Sequence, residues 1–122
     1  MVKAHREGFP RQHRIVRGSE YRAIYRIGVK LNSDRLVLFG RENNLKHSRL
    51  GITVSRKVGG AVIRNRVKRL FREIFRKSVA DIPNHFDLVV NAKRACAGAC
   101  YSDLGAEFIF AAQKLCRRPG QN

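Results

Sequence analysis

Hydrophobic residues in the middle of the chain recur at helical spacing. They fall on one side of a helix that extends to about residue 80, and basic residues occupy the other side. The apolar set is Val67, Leu70, Phe71, Ile74 and Phe75. Such a stripe predicts an amphipathic helix that is anchored by packing and presents its charges outward. The start of this helix stays open, because Asn65 suits an N-cap and a start near Ala61 would place Asn65 inside the helix.

Residues 49–56 alternate between apolar and polar or small side chains, which predicts a strand. Leu50, Ile52 and Val54 share one face, which we expect to be packed. The opposite face is expected to be open. Because Gly51 has no side chain, a backbone or nucleotide can approach this face closely. Two more strands are predicted at residues 35–41 and 86–91, and the second is nearly all apolar, which is typical of a central strand.

Two further helices complete the predicted order. The first begins with Ser19 as N-cap and ends at Gly28 in a left-handed conformation, with Tyr21 and Tyr25 on one face. These rings suit either core packing or base stacking. The last helix extends from Tyr101 to about residue 115.

The resulting order α-β-β-α-β-α predicts a single-domain α+β protein, an α-β sandwich with helices against one sheet face. We expect a basic flexible arm at residues 1–13, one folded α-β sandwich domain at 14–116 and a loose tail at 117–122.

The charge balance limits the classes of partner that the protein is expected to bind. The chain has 26 Lys and Arg against 9 Asp and Glu, for a net charge of +17. Nucleic acid is the leading polyanionic partner and an anionic membrane surface is the rival. No apolar run is long enough to span a bilayer, and the N-terminus lacks a secretion signal, so a cytoplasmic protein is expected. The three cysteines, an odd number, suit reduced thiols.

Catalytic groups do not cluster in the sequence. The acids and histidines are scattered, whereas a two-metal nuclease needs grouped carboxylates, so no catalytic or metal site is predicted in this chain. Guanidinium groups, by contrast, pair bidentately with phosphate and stack on bases. The candidates for RNA contact on the central helix are Arg64, Asn65, Arg66, Lys68, Arg69 and Arg72.

A long ordered motif resembles the bacterial ribonuclease P protein subunit. It consists of a strand, a glycine turn and an Arg-Asn-Arg helix, here Ser55-Arg56-Lys57, Gly59-Gly60 and Arg64-Asn65-Arg66. The resemblance covers about residues 14–115, including the two tyrosines before Gly28, where the family often has Phe.

The resemblance implies a concrete role. The protein would join one catalytic RNA subunit, which holds the catalytic Mg²⁺, and help to remove the 5′ leader of precursor tRNA. It implies a left-handed β-α-β crossover, against the usual right-handed default. The six helix residues would then bind the RNA subunit. The single-stranded leader would bind rings and polar groups of a sheet cleft: Tyr21, Tyr25, Phe39, Thr53, Ser55, Arg56 and Lys57. Further candidates are Arg14, Lys93 and Arg94.

Two other classes of protein stay open on charge alone. A ribosomal protein or general RNA chaperone has a similar composition, and only the motif argues against it. A DNA-binding regulator usually places a recognition helix after a second helix and a short turn. Here predicted strands lie on both sides of the basic helix.

Overall fold

The computed structural model describes residues 11–117. The elements are α1 (Gly18–Ile27), β1 (Val29–Asn32), β2 (Leu36–Glu42), β3 (Arg49–Thr53), α2 (Ala61–Ser78), β4 (Phe86–Ala92) and α3 (Tyr101–Leu115). The predicted order is confirmed, with β1 as an additional short strand. Of the predicted arm and tail, residues 1–10 and 118–122 lie outside the described residues, and residues 11–13 form a 3-10 turn.

The four strands form one mixed sheet in the order β1-β2-β4-β3. Strand β2 is antiparallel to both β1 and β4, whereas β3 and β4 are parallel neighbours joined through α2. The central position predicted for β4 is confirmed, because all side chains from Phe86 to Val90 are buried. The left hand of the β3-α2-β4 connection stays a prediction from the resemblance.

Both faces of the sheet are covered, although to different extents. On one face, Leu38, Leu50, Leu88 and Val90 pack into the main core with the phenylalanines of α2 and α3. On the other face, a smaller cluster centres on Ile24, Ile15 and Val89 beneath α1. The prediction that all helices lie against one sheet face was therefore wrong. The hydrophobic pattern of α1 shows which side of the helix is buried, but not which face of the sheet receives it.

The boundaries of α1 differ from the prediction. The helix begins at Gly18, and its N-cap is Arg17 without a side-chain cap, so Ser19 lies inside the first turn. Gly28 is extended, with φ of −78°, and is not left-handed. The reason for glycine here is space, because a Cβ would lie 2.5 Å from the Ile24 carbonyl oxygen and 2.8 Å from that of Gly40.

Two boundaries near the motif also become defined. Strand β3 ends at Thr53, earlier than the predicted residue 56, so Ser55 and Arg56 lie beyond the strand in an exposed turn. Helix α2 begins at Ala61 with Gly60 as its N-cap. Asn65 therefore lies within the helix and does not cap it.

Candidate nucleic-acid interface

Helix α1 covers only part of its sheet face. The strand register places Phe39, Val89 and Gly51 in one cross-strand row, and these residues lie against α1. The next row is Val37, Asn91 and Thr53, all only half-buried. A partly open strip of the sheet therefore lies beside α1, and we call it the sheet groove, with these two rows as its floor.

Two aromatic rings line the sheet groove. Tyr25 is 37% exposed and packs edge-on against Phe39, with ring centroids 4.8 Å apart. The Nζ atom of Lys30 lies 5.9 Å from the centre of the Phe39 ring. Aromatic faces beside a cation suit a single-stranded nucleic acid, whose bases stack and whose phosphates need positive charge.

Tyr21 has a different environment from Tyr25. A Cβ at Gly51 would lie 2.7 Å from the Tyr21 hydroxyl oxygen, so the glycine makes room for this side chain. Burial raises the pKa of the Tyr21 hydroxyl. The low open surface predicted over Gly51 is therefore occupied by the protein itself. Tyr21 therefore packs between α1 and the sheet, which is the core-packing alternative of the two that the sequence left open for its ring.

The polar end of the sheet groove is organised around the Tyr25 hydroxyl. It donates to Oδ1 of Asn91 over 2.9 Å and lies 3.2 Å from Oγ1 of Thr53. Asn91 and Lys30 were missed as site residues. The available signal for Asn91 was a polar side chain near the end of a nearly apolar strand, two positions from Val89 on the same face.

Basic residues rim one edge of the sheet. Because parallel strands end at the same edge, Arg56 and Lys57 after β3 lie on the same side as Lys93 and Arg94 after β4. The Nζ atom of Lys93 donates to the Ser33 carbonyl over 2.5 Å. Arg56, Lys57 and Arg94 are exposed, as is Ser55.

The two arginines of the Arg-Asn-Arg motif make contacts within the protein. Arg66 donates to the carbonyls of Ala97 and Ala99, over 3.2 Å and 2.8 Å. Arg64 donates through Nε to the Gly59 carbonyl over 3.1 Å. Arg66 therefore holds the alanine- and cysteine-rich loop before α3, a segment to which the sequence assigned no role.

The remaining candidates on α2 form a solvent-facing arc. Asn65, Arg69 and Arg72 are exposed, and Lys68 is half-buried. Lys68 and Arg72 also line a cleft of about 130 Å³ together with Arg14 and Tyr21. Part of the helix arc and the packed side chain of Tyr21 therefore meet at this cleft.

Most carboxylates in the described part of the chain are bound to arginines. Asp87 accepts two hydrogen bonds from Arg49, over 2.9 Å and 2.7 Å, and one from Asn43. Burial would raise the pKa of Asp87, but the hydrogen bonds from Arg49 and Asn43 outweigh it and the net pKa is lowered. Glu107 likewise accepts from Arg35 over 2.9 Å. Within residues 11–117, no group of three or more His, Cys, Asp or Glu is arranged to hold a metal ion.

A family model described as Ribonuclease P matches residues 9–116. The chain belongs to the ribonuclease P protein family. Among curated members, the ribonuclease P protein component of Clostridium kluyveri is 39% identical over 94 residues, covering 75% of this chain and 84% of that protein. That of Thermotoga petrophila is 44% identical over 84 residues, covering 69% and 72%.

Solved structures of ribonuclease P proteins share the fold. The Thermotoga maritima protein superimposes with a TM-score of 0.77 at 30% identity, covering 83% of this chain and 96% of that one. The Staphylococcus aureus protein gives 0.76 at 28% identity, covering 86% and 98%. In the part of this family member that the structure describes, no helix combines the length and apolar character needed to cross a membrane.

Proposed function

We propose that this chain is the protein subunit of a ribonuclease P ribonucleoprotein. It binds the catalytic RNA subunit and the 5′ leader of precursor tRNA, and so assists cleavage that produces the mature 5′ end. The observation that supports this most strongly is the family match over residues 9–116. The geometry adds two features that suit RNA, an exposed aromatic ring packed against Phe39 and an arc of exposed arginines on α2.

The two parts of the surface have different ligands in this proposal. The arc of α2 contacts the RNA subunit, because exposed guanidinium groups such as Arg69 and Arg72 pair bidentately with phosphates. The sheet groove binds the leader, because Tyr25 and Phe39 offer rings to unpaired bases. Arg56 and Lys57 supply positive charge along the path of the strand.

Catalysis resides in the RNA subunit in this proposal, and that subunit holds the catalytic Mg²⁺. The carboxylates of Asp87, Glu107 and Glu73 accept hydrogen bonds from arginines, so they are committed to the fold. The protein therefore acts by positioning the substrate and by neutralising phosphate charge.

The test is reconstitution of the whole chain with the catalytic RNA of the same organism. Cleavage of a precursor tRNA is measured at limiting Mg²⁺, with and without protein. We expect faster cleavage with protein, and the protein should strengthen binding of the precursor with its leader more than binding of the mature, leaderless tRNA. No stimulation would contradict the proposal, and cleavage by the protein alone would contradict the assignment of catalysis to the RNA.

A ribosomal protein or general RNA chaperone is the alternative that this test must also address. Such a protein would bind unrelated structured RNAs of equal length as well as it binds the catalytic RNA. Competition by those RNAs, at the ionic strength of the cleavage assay, therefore separates the two functions.

A further inference from the structure

The solvent-facing side of α3 carries an apolar patch between two opposite charges. The buried residues of this helix, such as Phe108, point into the main core, on the other face of the sheet from the sheet groove. Four side chains are exposed on the opposite side of the helix, and we call them the α3 stripe: Asp103, Ala106, Phe110 and Lys114. Because they are three, four and four positions apart, they lie above one another on the helix surface.

Phe110 is the unusual member of the α3 stripe. Its ring is 66% exposed, although the helix already has a separate apolar side that packs in the core. The Nζ atom of Lys114 lies 5.8 Å from the centre of this ring. Since large side chains in the centre of an interface supply most of its binding energy, an exposed ring of this kind suits contact with another protein.

The order of the side chains makes the α3 stripe complementary to a second copy of itself. When two such helices pack antiparallel about a two-fold axis near residue 108, Phe110 of one faces the small side chain of Ala106 in the other. At a rise of about 1.5 Å per residue, Asp103 lies about 7.5 Å from the axis along the helix. The partner's Lys114 lies about 9 Å from the axis in the same direction, so the two charges meet.

The carboxylate of Asp103 is accessible for this contact. Its side chain is 61% exposed, and Arg35 approaches it only to 3.9 Å. Arg35 makes its shorter contact, of 2.9 Å, with Glu107. A carboxylate in the α3 stripe also disfavours a polyanion there, so a second copy of the chain fits this surface better than RNA does.

We propose that the α3 stripe is a homodimer interface, in which two chains pack antiparallel around Phe110 and form two ion pairs between Asp103 and Lys114. One stripe per chain is smaller than an interface of about 1,200 Å² in total, and each chain has a net charge of +17, so the dimer is weak and needs salt or bound RNA to screen the repulsion. The sheet groove stays uncovered in the dimer, because it lies on the other face of the sheet.

The experiment is sedimentation velocity of the full-length protein at about 0.3 M salt, where charges are screened beyond about 6 Å. The sedimentation coefficient of the unmodified protein should rise with concentration towards that of a dimer. Phe110→Ser should weaken association more than about tenfold, because the central ring is lost. Val62→Ser is the matched control, since Val62 is 83% exposed on α2, outside the stripe, and this change should leave association unaltered.

Exchange of the two charges tests the antiparallel arrangement. Asp103→Lys alone and Lys114→Asp alone should each weaken the dimer by about threefold to tenfold, because both exposed ion pairs are lost. An equimolar mixture of these two variants should associate at least as tightly as the unmodified protein, because every lysine in the mixed pair then faces an aspartate. Far-UV circular dichroism of each variant confirms that the fold is retained.

The outcomes also separate the dimer from the proposed function, on which it does not depend. A protein that stays monomeric over the whole concentration range, or Phe110→Ser that associates as the unmodified protein does, overturns the dimer. A mixture that associates no better than its two components overturns the antiparallel pairing. If Phe110→Ser instead lowers the affinity of dilute, monomeric protein for the catalytic RNA, the stripe is an RNA contact and the proposal is wrong.

Discussion

Replacing Arg49 with Met should destabilise the protein by about 3–5 kcal/mol at neutral pH, because it leaves the Asp87 carboxylate buried without its main partner. The Asp87 side chain is only 2% exposed and receives both hydrogen bonds of the Arg49 fork. After the substitution, its remaining partners are Asn43, at 2.8 Å, and Arg41, at 3.9 Å. Neither replaces a bidentate contact, so most of the desolvation cost is uncompensated.

The pH dependence of this deficit has a defined sign. In the unmodified protein the net pKa of Asp87 is lowered, so its contribution to stability is present above the ordinary carboxyl pKa and is lost as pH falls through the lowered value. Without Arg49, burial acts against weaker opposition, and the pKa of Asp87 rises. Protonation then relieves the buried charge, so the difference between variant and parent should be largest at neutral pH and shrink in acid.

The assay is urea unfolding followed by far-UV circular dichroism, at fixed ionic strength and at about pH 7 and about pH 4.5. Arg69→Met is the matched control, because Arg69 is exposed on α2, and it should change stability by less than about 0.5 kcal/mol at either pH. The double variant Arg49→Met with Asp87→Leu should recover most of the loss, because an apolar pair replaces the ion pair. A deficit of equal size at both pH values, or no recovery in the double variant, would refute the reasoning.

Three further predictions concern single side chains. Arg66→Ala should lower the free energy of unfolding in urea by about 1–3 kcal/mol, because two loop carbonyls lose their donor. Arg69→Ala should leave stability unchanged. It should instead reduce the slope of log K against log salt for RNA binding by about 0.7–0.9. Gly51→Ala should lower the free energy of unfolding by about 1–3 kcal/mol, because the new Cβ would lie 2.7 Å from the Tyr21 hydroxyl; an unchanged free energy of unfolding would show that the ring moves freely. Cys100 is exposed and should react with a thiol reagent in the native protein, while the other two thiols, whose pKa burial raises, should react only after unfolding.

The parts of the fold that follow from the sequence are those fixed by local periodicity. The apolar stripe of α2 and the alternation around Leu50 both predict which side chains face the core, and the structure confirms most of them. Leu70 and Ile52 pack against the core but are only half-buried. Strand β1 was missed because its four residues contain only two apolar side chains, and pairing with β2 supplies what the pattern lacks. Gly28 was assigned to glycine's left-handed freedom, whereas the cause is the nearness of two carbonyls, that of Ile24 in the helix and that of Gly40, a residue twelve positions away.

The candidate site likewise has features that follow from local sequence and features that depend on the tertiary fold. The charge of α2 and the presence of rings in α1 and β2 were evident, because each belongs to one short segment. Other contacts join segments that are distant in the sequence. Arg66 binds the loop before α3, and Tyr25 contacts both Thr53 and Asn91. No pattern within one element contains that information. For the same reason, the sequence could not show that Tyr21 is packed and Tyr25 is accessible.

The central position of β4 has a consequence for the order of events on the ribosome. Its two neighbours, β2 and β3, are synthesised earlier, but they do not pair with each other. The four-stranded sheet therefore cannot form until residues 86–92 have been synthesised. A nascent chain that ends before β4 already contains the whole of the arginine-rich helix, yet it has no groove floor. Under the proposed function, the helix that contacts the RNA subunit is therefore synthesised before the groove that binds the leader can form, and that groove is completed only in the last third of translation.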